Sequence, residues 1–282
     1  MNTIQKQDIE FLKKEYSVAY EIDTFRYIKS TEEPIENRIR CKVKKSFIRK
    51  DSIGYLFSVE VLNRTQSNKE DILDIEDQLT NLQKKLILYT DEHGDIISIV
   101  NRGEISEEWD DNKNTFKKTY KDSLENVDGF IEGVDAIIND HIEFLNLVKK
   151  SEVATLLFPP IYKQNLLSQE SVKQQKVIYD FFDTTALPFR MNTKVVAINE
   201  ETQGYQVIRS GGIDTPKFDE ESASSLISNL FDVHKYNIKI ESDYLEALDL
   251  NNDDIIEEAT MLLNVEVPGI YSYRQISKLK TT

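Results

Sequence analysis

The chain has 282 residues, and its 50 acidic against 35 basic side chains give a formal net charge of −15. This charge argues against a generic nucleic-acid binder, because nucleic acids are bound by clustered positive charge and no segregated basic face is visible in the sequence. Hydrophobic residues make up 39% of the chain, too many for a disordered protein. The length suits one large domain or two small ones with a sizeable core.

The sequence shows no sign of export or membrane insertion. Residues 1–16 mix charged and apolar side chains and lack the apolar segment of a secretory signal. No stretch approaches the roughly 18 apolar residues that a membrane helix needs. The single cysteine, Cys41, cannot form an internal disulfide. We therefore expect a soluble, cytoplasmic protein with no integral membrane contact.

The first half of the chain reads as a helix followed by strands. Apolar spacing predicts a helix over residues 3–15, and a capping box at Ser67 and Glu70 predicts a second helix. A third helix, with an aromatic stripe on one side, runs to about Tyr120. Segments rich in Val, Ile, Tyr and Phe predict strands at 17–28, 38–49, 54–64, 86–89 and 96–100.

The second half begins with the longest periodic segment. Apolar residues follow the helical period from Val127 to Val148 and stop before Pro159, which predicts a long central helix that acts as a strut. The same criteria predict helices starting near residue 219 and over residues 255–263. Strands are predicted at 177–182, 189–198, 205–209, 236–240 and 270–279.

The two halves of the chain have predicted helices and strands in a similar order. An offset of about 150 residues aligns Gly54 with Gly204 and residues 100–108 with 250–258, where an asparagine would cap a helix in each half. We therefore predict an α+β protein of two similar lobes, each a mainly antiparallel sheet with helices on one face in the order βββαββα. The predicted divisions are a lobe at 1–122, a helical connector at 123–172 with a long helix at 125–150, and a lobe at 173–282.

Motifs that carry chemistry are not found. Residues 249–254 place oxygen atoms as in a calcium loop, but Asp254 stands where the turn requires glycine, so helix capping is the better interpretation. Asp91, His93 and Asp95 share one turn, but no second histidine is near in sequence. Neither a phosphate-binding glycine loop nor a Gly-x-Ser-x-Gly elbow is present. We assign no catalytic residue, no cofactor and no metal.

Aromatic and acidic residues are the candidates for contact with a partner. Core packing is the favoured interpretation of the aromatic residues, and any that are exposed become a contact patch. The candidate residues are Trp109, Phe116, Tyr120, Phe158, Tyr162, Glu107, Glu108, Glu257 and Glu258.

The leading hypothesis is a non-catalytic, acidic protein-binding module: an adaptor, assembly factor, chaperone or inhibitor of a partner protein. A basic partner would suit the negative charge. The alternative is a carrier of an apolar or lipid-like ligand, with a curved sheet wrapped around a helix; it requires an apolar cavity of a few hundred Å³. A hydrolase that uses carboxylates is the second alternative. Oligomeric state is left open, and no nucleic-acid partner is expected.

Overall fold

The computed structural model describes residues 9–12, 14–30, 33–68, 75, 79–80, 82–182, 185–232, 234 and 238–282. In this part of the chain, eleven strands form one sheet. The strands are β1 (Ser17–Lys29), β2 (Ile35–Lys50), β3 (Tyr55–Gln66), β4 (Lys85–Thr90), β5 (Ile96–Ile99), β6 (Val172–Phe182), β7 (Thr185–Ile198), β8 (Tyr205–Ile213), β9 (Glu241–Leu250), β10 (Ile256–Val267) and β11 (Tyr271–Thr281). The helices of the described residues are α1 (Arg102–Tyr120), α2 (Val127–Asn139), α3 (His141–Lys149), α4 (Glu152–Leu157) and α5 (Glu220–Phe231).

The sheet joins the two halves of the chain at its centre. Its strand order is β5-β4-β3-β2-β1-β11-β10-β9-β8-β7-β6, and every paired neighbour is antiparallel. The central pair is β1 with β11, in register from Tyr20 opposite Thr281 to Lys29 opposite Ser272. The prediction of two lobes is therefore wrong, because both halves contribute to one continuous sheet.

The segments that suggested a duplication are not equivalent. Asn101 precedes α1, and its side chain bonds to the backbone of β4 at Lys85 and Ile87. Asn251 lies in the turn between β9 and β10, so the predicted helix over 255–263 and its cap are wrong. The following residues alternate buried and partly exposed side chains along β10, the two-residue period of a strand.

The predicted long helix is also wrong, because it is broken at Asp140. This residue has an extended backbone, with φ −84° and ψ 119°. Its carboxylate accepts hydrogen bonds from the backbone N–H of Ile142 at 2.8 Å and of Glu143 at 3.0 Å. An aspartate that satisfies these N–H groups starts a new helix instead of continuing the old one. The predicted strut is thus the two helices α2 and α3.

Three other predictions fall partly outside the described residues. Residues 9–12, 14 and 15 of the predicted first helix are not helical, and Ile9 and Phe11 are buried in the core. The helix predicted to begin at Ser67 lies largely outside the described residues. So does part of the strand predicted at 236–240, whose described residues 238–240 precede β9. The remaining predicted strands, and the helices that end at Tyr120 and begin near 219, are confirmed within a few residues.

The core lies between the inner face of the sheet and the chain from α3 to Tyr162. Alternate residues of β2, such as Ile39 and Val43, are buried on the inner face. Phe57 of β3 packs edge-on against Phe158, just after α4, with 5.6 Å between ring centroids. The chain from β5 to β6 leads from one edge strand to the other and crosses the inner face, where α3 contacts β5 and α4 contacts β10.

The outer face carries a row of basic residues that the linear sequence does not show. The alternation of β2 exposes four cationic side chains on this face, and β11 adds three in the same central region of the sheet. These residues are Arg38, Arg40, Lys42, Lys44, Arg274, Lys278 and Lys280. Asp23 of β1 pairs with Arg38 and Arg40, so part of the row is neutralised locally.

Two glycines differ in the space that a side chain would have at their positions. A Cβ at Gly54 would lie 2.1 Å from the carbonyl oxygen of Thr90, whereas one at Gly133 in α2 meets nothing within 4 Å. We expect Gly54→Ala to lower the free energy of unfolding by about 1–3 kcal/mol, because the β3–β4 pairing must shift. Gly133→Ala should raise it by about 0.5–1 kcal/mol. Urea denaturation measures both, and a neutral Gly54→Ala would contradict this register.

Candidate functional site

Three cavities open beside α4 and the lysines that precede it. The first, pocket A, has a volume of about 230 Å³ and lies on the side of α4 that faces β2, β3 and β4. Its wall combines aliphatic side chains, such as Val59, Val61 and Leu86, with polar groups from the sheet and from the ends of α3 and α4. The lining residues are Arg26, Cys41, Val59, Val61, Arg64, Leu79, Thr80, Gln83, Leu86, Leu147, Lys150, Ser151, Glu152 and Val153.

The other two cavities lie towards the C-terminal half of the sheet. Pocket B has a volume of about 300 Å³ and is lined by Arg26, Ile28, Lys149, Lys150, Thr155, Lys176, Val177, Ile178, Tyr179, Phe181, Tyr244, Met261, Leu263, Tyr271, Tyr273 and Gln275. Pocket C, of about 210 Å³, is lined by Asp95, Ile96, Lys149, Lys150, Ala154, Thr155, Phe158, Pro160, Gln175, Lys176, Val177, Tyr179 and Arg209.

Pocket C shows how strongly the sheet is curved. Asp95 and Ile96 stand at the start of the edge strand β5, and Gln175 and Lys176 belong to the opposite edge strand β6. Both edges therefore line one cavity, although nine strands separate them in the sheet order. The curvature brings the edges towards each other, and α4 lies beside the gap between them.

An ion pair stands between pockets A and B. Arg26 of β1, which lines both pockets, donates to Oε2 of Glu152 at 3.1 Å. The side chain of Glu152 is 8% exposed and that of Arg26 is 20% exposed. The carboxylate is largely removed from water, which would be destabilising if it were unpaired. Its ion pair with Arg26 offsets this desolvation cost. The pair fixes the first turn of α4 to the centre of the sheet.

The C-terminal end of α4 is held by a buried lysine. The Nζ of Lys45 on β2 donates to the carbonyl oxygen of Leu157 at 2.7 Å. Four aromatic rings surround this ammonium, and the nearest centroid, that of Phe158, is 4.0 Å away. Burial lowers the pKa of Lys45 to about 7. A cation near the last carbonyls of a helix and over aromatic faces gains electrostatic stabilisation that partly offsets its burial.

A second buried charge cluster lies beneath pockets B and C. Glu246 of β9 accepts hydrogen bonds from Nη1 of Arg209 and from the hydroxyl of Tyr244, the latter at 2.5 Å. The Nζ of Lys176 is 3.4 Å from the same carboxylate. Burial raises the pKa of Glu246, but Arg209 and Lys176 together with these hydrogen bonds outweigh it and hold that pKa below its usual value. The carboxylate is therefore ionised and interacts with two cationic side chains, Arg209 and Lys176.

The structure places the candidate contact residues in two groups. The five aromatic ones are buried in this chain: Trp109, Phe116, Tyr120, Phe158 and Tyr162. The Trp109 indole N–H donates to Asp135 of α2 at 2.7 Å, and Phe116 stacks on Phe130, so the aromatic stripe joins α1 to α2. The four acidic ones, Glu107, Glu108, Glu257 and Glu258, are exposed. Their part in protein contact stays a prediction.

Sequence reasoning missed the residues around the pockets. Lys45, Lys176, Arg209 and Glu246 stand at inward positions of strands whose other inward residues are largely apolar. A charged residue that interrupts an apolar alternation is a readable signal for a buried ion or a site, because such a residue costs free energy unless it is paired. The adjacent lysines at the end of α3 carry no such signal.

Among the described residues, no group of three or more His, Cys, Asp or Glu side chains is arranged to hold a metal ion. No helix within the described ranges is long and apolar enough to cross a membrane.

Comparison with known proteins gives a fold relationship. No protein-family model matches the chain, and no curated protein sequence matches it either. Among solved structures, the chain is similar to one of lipovitellin that concerns lipid–protein interactions. The TM-score is 0.54 at 10% sequence identity, over 94% of this chain and 25% of the lipovitellin chain. The chain thus matches about a quarter of that protein, and at this identity the similarity is one of fold.

The buried cluster predicts a large effect of one carboxylate. Glu246→Gln leaves Arg209 and Lys176 without their counter-charge, so we expect the free energy of unfolding to fall by about 3–5 kcal/mol. The matched control is Glu258→Gln, which removes a surface pair with Lys280 and should change stability by about 0.5 kcal/mol or less. Chemical denaturation compares the two, and equal effects would refute the assignment of Glu246 as a buried counter-ion.

Lys45 predicts a specific pH dependence. With a pKa near 7 when folded and about 10.4 when unfolded, the unfolded chain binds more protons between these values. The contribution of Lys45 to the free energy of unfolding therefore rises with pH in this window, by up to about 1.4 kcal/mol per pH unit. Lys45→Met removes this contribution, so its stability relative to the unmodified protein should fall as pH increases from 7 to 9.5. Urea denaturation across this range tests it; a constant difference would contradict the assignment.

Proposed function

We propose that this chain binds an apolar or lipid-like ligand on the inner face of its curved sheet, beside α4. The observation that carries the proposal is the pair of cavities, pockets A and B, on the two sides of that helix, each lined in part by aliphatic or aromatic side chains. Apolar walls with a few polar groups at one end are typical of small-molecule sites. The ligand would gain free energy from burial of its apolar surface, about 25 cal/mol per Å².

The fold is consistent with the proposal. The lipovitellin structure that the chain resembles concerns lipid–protein interactions of that protein. A curved antiparallel sheet with helices across its inner face offers a concave apolar surface, which suits a chain-like ligand. At 10% identity the resemblance does not carry the residues of a site, so the proposal depends on the pockets of this chain.

The sizes of the pockets favour one small ligand over a bulk lipid store. Small-molecule sites usually have volumes of about 300–1,000 Å³, and pocket B reaches about 300 Å³. Pocket A is smaller, and the Arg26–Glu152 pair stands between it and pocket B. A single alkyl chain fits this arrangement better than several lipids side by side.

The protein-binding hypothesis gains no support from the fold or from the comparisons. The aromatic residues that would anchor a partner are buried in the chain itself, which leaves the exposed glutamates as its remaining basis. Charged residues at the rim of an interface contribute little affinity on their own. Contact with a partner protein stays a prediction, and the carrier reading is the better supported of the two.

Blocking each pocket tests the proposal. Ile28→Trp on the inner side of β1 fills pocket B, and Val61→Trp on β3 fills pocket A. We expect the delipidated protein to bind dodecanoate. The variant whose tryptophan fills the pocket that dodecanoate occupies should lose at least about tenfold in affinity, because the ligand can no longer bury its apolar surface there. Isothermal titration calorimetry measures the affinity.

The control is Leu62→Trp, which adds the same ring at the neighbouring, 53% exposed position of β3. It should bind as the unmodified protein does. Thermal unfolding confirms that each variant is folded before its affinity is compared. If the unmodified protein binds neither dodecanoate nor dodecanol, the proposed function is wrong.

A further inference from the structure

We propose that the ligand is a single-chain amphiphile with an anionic head, and that Lys149 and Lys150 hold this head where pockets B and C meet, beside Lys176. The inference rests on the proposed function and specifies its ligand.

Pockets B and C share a polar junction but differ beyond it. Both are lined by Lys149, Lys150, Thr155, Lys176, Val177 and Tyr179. Beyond this junction pocket B is walled mainly by apolar and aromatic side chains, among them Ile178, Phe181, Met261, Leu263, Tyr271 and Tyr273. The rest of pocket C includes the polar side chains of Asp95, Gln175 and Arg209. A ligand with an apolar chain and a polar head matches this division, with its chain in pocket B.

The charges around the junction favour an anion. The linings of pockets B and C contain five cationic side chains, Arg26, Lys149, Lys150, Lys176 and Arg209, and one carboxylate, Asp95. Two further carboxylates, Glu152 and Glu246, contact Arg26, Lys176 and Arg209. The linings themselves are therefore rich in cationic side chains, in a chain whose formal net charge is −15.

The position of the junction suits a charged head. It lies beside the gap between the sheet edges, where Val177 is 37% and Tyr179 is 39% exposed. A charged head at this exposed end avoids the desolvation penalty that it would suffer deep in the core. Lysine ammonium groups donate charge-assisted hydrogen bonds to carboxylate or phosphate oxygens, and these are stronger than neutral ones. The ligand would therefore enter chain first, with its head left at the lysines.

The orientation of the ligand in pocket B follows from the residues at the end of the pocket that lies away from the junction. There the inner-face residues of β10 and β11 are apolar, aromatic or amide side chains, such as Met261, Leu263 and Gln275, and the lining of pocket B contains no carboxylate. Arg26 pairs with Glu152 and lines pockets A and B but not pocket C, so it lies outside the junction. The cations at the junction are thus the ones that decide the head group.

Head-group selectivity tests the inference. The probes are dodecanoate, dodecanol and acetate, which separate the charged head from the alkyl chain. The unmodified protein should bind dodecanoate about ten- to a hundredfold more tightly than dodecanol, because hydrogen bonds to a charged group are stronger than those to a neutral one. Acetate, which has the head without the chain, should bind far more weakly than dodecanoate. Calorimetry at low and at physiological salt gives the affinities.

The double variant Lys149→Gln/Lys150→Gln should bind both twelve-carbon probes with similar affinity. The control Lys42→Gln/Lys44→Gln removes the same charge from the outer face of β2 and should keep the preference for dodecanoate. Equal binding of dodecanol and dodecanoate by the unmodified protein would overturn the inference and leave the proposed function standing. A preference for dodecanoate over dodecanol that survives in the Lys149/Lys150 variant would also overturn the inference alone, as would acetate binding as tightly as dodecanoate. Binding of none of the probes would overturn both.

Discussion

The antiparallel pairing of β1 with β11 is the constraint on which the rest of the structure depends. It joins residues 20–29 to residues 272–281, so the first and last of the described strands are neighbours at the centre of the sheet. The N-terminal strands then extend to one side and the C-terminal strands to the other, which makes β5 and β6 the edges. Because the chain must pass from β5 to β6, its helices cross the inner face, and the cavities lie on both sides of that crossing.

The crossing segment is held to both halves of the sheet by polar contacts. Arg26 of β1 fixes the first turn of α4 through Glu152, and Lys45 of β2 fixes its last turn through the carbonyl of Leu157. Beyond α4, the side chain of Gln174 on β6 donates to the carbonyl oxygen of Pro160 at 2.7 Å. Such directional contacts set the distance of the helix from the sheet, whereas apolar packing alone would favour closing the space around it.

The charge of the molecule is divided between its surface and its interior. The net charge of −15 disfavours the approach of an anion, but salt screens surface charges beyond about 8 Å at physiological ionic strength. At contact distance the local groups decide, and around α4 these are mostly lysines and arginines. The net negative charge of the molecule and the cationic groups around α4 therefore act over different distances.

The sequence by itself determined most of the strands and the two helices α1 and α5. β1, β2, β3 and the turn around Gly94, with its φ of 98°, follow from local alternation and turn chemistry. Local pattern failed where two structures compete for the same residues. The apolar spacing at 255–263 fits a helix, but this segment became β10 because β9 and β11 pair with it on both sides. The helical period through Asp140 likewise did not reveal that its side chain would begin a new helix.

Only the tertiary structure decided how the elements combine and where the site lies. Nothing local in β1 specifies β11 as its partner, because that pairing joins residues more than 240 positions apart. The inward lysines and arginines were readable as interruptions of apolar strands, but their partners come from distant elements, as Glu152 does for Arg26. Composition and periodicity record what each residue prefers. The pockets arise from the space left between elements, and that space exists only after the chain has folded.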